Sequence, residues 1–224
     1  MGISTTQLAG IYPRLYHMAE EGTWDSIRTN GLLSTSALLD FYEIEGQERL
    51  AIEREHRPES RTIEHITHGR AVIRDQKPMK EALLQRCLVG LTPNEWYEIL
   101  NGKVFFWLTW ERLTRLLSAR EYRNRTHCVI TVDTAQLLER HADDVRLSPI
   151  NSGSTLFKPQ PRGRDTFLTL GEYPFDEWKK KRGGTSNAIA ELTVEYRVPD
   201  IASMAVRVTH MRGAEEIEVL YERG

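Results

Sequence analysis

LYHMAEEGTWDSIRTNGLLS, residues 15–34, and its distant counterpart AIAELTVEYRVPDI, residues 188–201, together decide the reading of this chain. Each reads as a buried strand that gives one site to an ionisable group, His17 in the first and Glu191 in the second. A strand with apolar neighbours rarely carries such a group unless it is paired or used, because taking a charge out of water is expensive. The pair predicts a cleft for a nucleotide-like ligand, with an imidazole to orient it and a carboxylate to act on it.

Outward from the first stretch, residues 14–18 form a strand. Trp24, Ile27 and the stop at Gly31 predict a helix capped by Thr23, whose hydroxyl would accept a first-turn amide. Ser34, Thr35 and Ser36 can line a pocket or cap a helix from residue 37 onward. A helix-rich insert at about 36–101 comes next. It carries apolar sites at Leu38, Leu39, Tyr42, Ile44, Leu50 and Ile52, a basic, histidine-bearing and less patterned stretch at 57–80, and helices around 80–88 and 93–101. Thr92 and Pro93 give the second of these a credible start.

Strands return at VFFWLT (104–109), THCVITVDT (126–134), DVRLSP (144–149), 188–197, 203–209 and EIEVLYE (216–222). Between the first two lies a basic amphipathic helix at 110–121, with Leu113, Leu116 and Leu117 on one side. Residues 150–187 are rich in Gly, Pro, Ser and Lys and predict loops with one short helix near 175–181. Strands with scattered helices, without regular alternation, predict an α+β fold in a single domain over 1–224.

Composition narrows the functional classes. The 224 residues, 40% hydrophobic, suffice for a sizeable core. Thirty basic against 32 acidic side chains give a formal charge of -2, so binding to nucleic acid would need a local patch. No apolar run is long enough to span a membrane, and the N-terminus lacks the order of a signal peptide, so a cytoplasmic location with no membrane partner is expected. Cys87 and Cys128 are too few for a disulfide framework and read as buried thiols. His56, His65 and His68 lack a carboxylate or cysteine to complete a ligand set, so no metal is expected. The glycines at 183 and 184, after Lys179–Arg182, do not follow a strand as a phosphate loop would.

The motifs resemble those of DarT-like NAD-dependent ADP-ribosyltransferases. His17, Ser26, Ile27, Gly31 and Leu32 resemble that family's opening, VFFWLTWERL (104–113) its aromatic strand and arginine loop, and AELTVEYRVPDI its catalytic glutamate strand. The resemblance spans residues 15–201, apart from the insert and the 150–187 loops. It implies an ADP-ribosyltransferase-like split β-sandwich with helical insertions, and NAD as substrate. Glu191 would be the catalytic carboxylate and Arg112 a catalytic cation. His17 would donate a hydrogen bond to a ribose or the diphosphate and, with Ser34, hold NAD, and Tyr42 and Trp107 are aromatic candidates to stack on nicotinamide or a base. It further implies a DNA or RNA acceptor, a role as toxin or phage-defence effector, and an antitoxin or regulatory partner.

Two choices stay open. Strand alternation puts Glu191, Thr193 and Glu195 on one face, so the period does not separate the two glutamates; the resemblance favours Glu191. Arg115 lies one helical turn from Arg112, and Trp110 and Glu111 stand where the family commonly has a proline. Other readings are an RNA 2'-phosphotransferase-like enzyme, which calls for more basic residues around the pocket, and a catalytically silent nucleotide-binding regulatory domain.

Overall fold

The computed structural model describes residues 2–156 and 158–224. The chain opens with α1 (Thr5–Ile11), held by a reciprocal Ser4–Gln7 capping box, and enters β1 (Arg14–Glu20). α2 (Trp24–Asn30) and β2 (Leu32–Leu33) follow, then α3 (Thr35–Phe41), α4 (Gly46–Glu53), and the hairpin of β3 (Arg61–His65) and β4 (Gly69–Ile73). α5 (Glu81–Cys87) and α6 (Pro93–Asn101) lead to β5 (Lys103–Phe106), α7 (Trp110–Leu117), β6 (Thr126–Asp133), α8 (Thr134–His141) and β7 (Val145–Ser148). The last part holds α9 (Phe175–Lys181), β8 (Glu191–Glu195), β9 (Arg197–Val198), the single turn α10 (Ile201–Met204), β10 (Ala205–Arg212) and β11 (Glu215–Glu222). This is an α+β arrangement built on antiparallel sheets.

Two sheets frame the molecule. One has the order β1-β6-β10-β11, with His17 opposite Ile130; the other has β5-β8-β7, with Ser148 opposite Glu191. They meet where the Tyr16 and Trp107 amides each donate to the other's carbonyl, at 2.9 and 2.8 Å. Leu15, Ile130, Val132, Leu147, Leu192, Val194 and Val208 belong to the common core. The opposite face of the four-stranded sheet is covered by α7, whose Leu113 and Leu117 pack with Met18, Val129 and Met211. The leucine spacing seen in the sequence thus buries one face of that helix.

The two stretches that opened the reading are stitched directly, since β2 pairs with β9. Gly31 makes the approach possible: its φ is +86°, and a Cβ there would lie 2.7 Å from Pro199 Cα.

Local structure corrects three expectations. The Thr23 hydroxyl accepts no helix amide and instead donates to the Glu20 carbonyl at 2.7 Å, tying the helix start back to β1. The 57–80 stretch holds the β3–β4 hairpin, whose Ile63 and Ile73 join Leu39, Tyr42 and Ile52 in a satellite core. The strand expected from 203 starts at Ala205, because Ile201–Met204 first make a helical turn. The insert is anchored by buried Arg57, which donates to the Ile52 and Arg74 carbonyls and to Asn101 Oδ1. Both cysteines are buried, and burial pushes the Cys128 thiol up to about 12.

Candidate functional site

A cleft of about 1480 Å³ runs between the two sheets and the insert, and both His17 and Glu191 line it. Small-molecule pockets occupy roughly 300–1,000 Å³, so this cleft has room for a dinucleotide and part of a second reactant. Nine of its lining side chains are cationic and four acidic, against a chain that is nearly neutral overall. One acidic group, Glu20, is engaged by Arg74 at 3.3 Å and Arg125 at 2.7 Å. The local potential therefore favours an anionic ligand.

Glu191 begins β8 and is only 4% exposed. Its Oε2 accepts from the Ser152 amide at 3.1 Å and the Ser152 hydroxyl at 2.6 Å. Burial pushes the carboxyl up to about 7, against the opposing pull of Ser152, Arg162 and Arg112. A carboxyl that titrates near neutrality can exchange a proton or carry charge at physiological pH.

His17 is held by a 2.9 Å contact between Nδ1 and the Phe105 carbonyl, which makes Nδ1 the protonated nitrogen. Enclosure of the ring pushes its pKa down to about 4, so the imidazole is neutral and Nε2 is an acceptor. This corrects the donor role expected of His17: a ribose hydroxyl can donate to Nε2, whereas a diphosphate, having no proton to give, cannot.

Residues 13–205 match a family described as a family of unknown function, DUF7002. The chain belongs to this family. No curated protein matches the chain. The DUF7002 region runs from the residue before β1 to the first residue of β10, so it takes in His17, Ser152 and Glu191. α1 and nearly all of the β10–β11 hairpin lie outside it.

Within the DUF7002 region the remaining expected residues take different places. Arg112 reaches the cleft, but its Nη1 donates to the Ile189 and Ala190 carbonyls, at 2.5 and 2.8 Å. It holds the backbone that delivers Glu191. Arg115 is an exposed partner of Glu111 one turn away. Ser34 is buried as the α3 cap, its hydroxyl accepting from the Ala37 amide, and it also borders the cleft. Tyr42 borders the cleft as well, yet it is 4% exposed, lies in the satellite core and donates its hydroxyl to the His68 carbonyl. That geometry corrects its reading as a stacking surface. Trp107 lines the cleft beside the sheet junction.

Glu195 is absent from the cleft lining and pairs with Lys103 and Arg146, which separates it from Glu191. The rings of His65 and His68 stack at 4.6 Å, and among the described residues no group of three or more His, Cys, Asp or Glu side chains is arranged to hold a metal ion. No helix of these residues is long and apolar enough to cross a membrane. Ser152 was not anticipated. It sits in a small-residue loop, and only the β7–β8 register, with Ser148 opposite Glu191, brings that loop to the carboxylate.

Proposed function

We propose that the protein is an NAD-dependent mono-ADP-ribosyltransferase with an ADP-ribosyltransferase-like split β-sandwich. The observation that carries this reading is the sharing of one basic cleft by a neutral imidazole and a fixed, buried carboxylate. Cleavage of the nicotinamide–ribose bond sends the bonding pair to nicotinamide and leaves an oxocarbenium-like ribose. A carboxylate beside that centre stabilises the charge as it develops. Glu191 supplies it. His17 accepts a hydrogen bond from a ribose hydroxyl, the cationic lining offsets the diphosphate, and Arg112 holds the segment that enters β8 at Glu191. An acceptor nucleophile then bonds to the ribose carbon and loses its proton. DNA and RNA suit the basic lining, and an effector of this kind would need an antitoxin or regulatory partner.

The same basic lining favours a second reading, an RNA 2'-phosphotransferase-like enzyme. The carboxylate at the cleft weighs for the first. The test is nicotinamide release from labelled NAD with DNA, RNA, 2'-phosphorylated RNA or protein as acceptor. Label transferred to an acceptor, and its loss in Glu191→Gln with NAD binding retained, is the expected result. Turnover only with the 2'-phosphorylated RNA would favour the second reading, and no turnover with any acceptor would refute the first.

A further inference from the structure

The loop after β7 does more to Glu191 than border it. Ser152, fully buried, directs both its amide and its hydroxyl at one carboxylate oxygen, Oε2. The amide is an obligatory donor, so Oε2 is a poor place for a proton. The remaining oxygen, Oε1, receives no hydrogen bond from the described residues, and it belongs to a side chain that lines the cleft. Ser152 is itself fixed from behind: Arg162, 3% exposed, donates from Nη1 to the Ser152 carbonyl at 2.9 Å. Arg162 is in turn held to the α5 end of the insert, where its amide donates to the Cys87 carbonyl and its carbonyl accepts from Val89.

We propose that Ser152 and Arg162 form a positioning relay that turns Oε1 of Glu191 into the cleft and assigns the exchangeable proton to that oxygen. Its kinetic consequence rests on the transferase reading, whereas its effect on the carboxyl does not. The charged and hydrogen-bonding groups acting on Glu191 are Ser152, Arg162 and, from α7, Arg112. Among the described residues, only Ser152 touches the carboxylate within hydrogen-bond distance.

The experiment is a ¹³C carboxyl titration of the full chain with labelled glutamate, the Glu191 signal being identified by its loss in Glu191→Gln. Removing one hydroxyl donor from an ionised acceptor should move the midpoint up by about one to two units in Ser152→Ala. Ser152→Thr, which keeps the hydroxyl, should restore most of the wild-type midpoint. Ser154→Ala, a cleft-lining serine in the same loop, should leave it unchanged. A Ser152→Ala midpoint equal to the wild type, or an equal shift in Ser154→Ala, overturns the relay. Thermal melts identify any variant whose fold is lost, and if Ser152→Ala is one, Ser152→Gly, which also removes the hydroxyl and keeps the amide, carries the comparison with Ser154→Ala. If the midpoint moves as expected while wild-type protein cleaves no NAD, the relay stands and the transferase reading falls.

Discussion

Replacing Glu191 by Gln should stabilise the protein, and the gain should grow with pH. The side chain keeps its length, and its amide oxygen can still accept from the Ser152 amide and hydroxyl, so packing is conserved. What disappears is the ionisation. The folded carboxyl titrates near 7, whereas the unfolded one titrates near 4.5. A group whose pKa is raised by folding contributes its full stability below the unfolded value, and that stability is lost as pH rises through the folded one. The difference, at 1.36 kcal/mol per unit, makes the wild type about 3 kcal/mol less stable near pH 8 than near pH 4, through this residue alone. Gln lacks this dependence. Urea unfolding of both proteins across that range isolates the effect, because every other titrating group cancels in the difference. A stability difference that stays constant with pH would refute the claim that Glu191 is a buried carboxyl with a raised pKa.

The same titration predicts that nicotinamide release climbs as pH passes through about 7, with no further limb from His17, which stays neutral above about 4; a rate that falls over that range contradicts an ionised Glu191 as the working form. Arg112→Ala should lower turnover and cost about 1–3 kcal/mol by freeing the two carbonyls of the segment entering β8, whereas Arg115→Ala should stay within about 0.5 kcal/mol of wild type, and equal effects in chemical denaturation would argue against the positioning role. Gly31→Ala should unfold at lower temperature, since its φ is left-handed and the new methyl meets Pro199; an unchanged Tm would show that the β2–β9 junction gives way easily. Leu113→Ala, at a fully buried site under the four-stranded sheet, should cost about 2–5 kcal/mol in urea, and a smaller loss would mean that α7 settles into the gap.

The strands were legible from their apolar and β-branched runs: VFFWLT is buried at every second residue and THCVITVDT at most of its residues. The β3–β4 hairpin was hidden by its composition: Ile63 and Ile73 are its buried positions, and charged, polar and small residues are mixed among the rest, so its period is faint. α8 was missed because Asp133 ends β6 and also caps the helix, its carboxylate accepting from the Gln136 amide. α1 did leave a trace in the Ser4–Gln7 spacing of a capping box, beside a glycine and a proline that obscure it. At the candidate site, residue identity was readable and hydrogen-bond direction was not. Whether His17 gives or accepts depends on the Phe105 carbonyl, which arrives from another sheet. The separation of Glu191 from Glu195 likewise depends on Lys103 and Arg146, which only pairing brings alongside.

The pairing of β2 with β9 has a consequence for biosynthesis. His17 is made well before Glu191, so the two cannot share a cleft until the ribosome has added β8. A growing polypeptide that has exposed β1 and the insert still lacks the central strand of the β5-β8-β7 sheet, and its β5 and β7 have nothing to join them. Such non-local pairing folds slowly. The cleft thus matures only after β8 is made, and ribosome-stalled chains ending ahead of residue 188 should remain protease-sensitive around β5 and β7 while the chain through residue 224 resists.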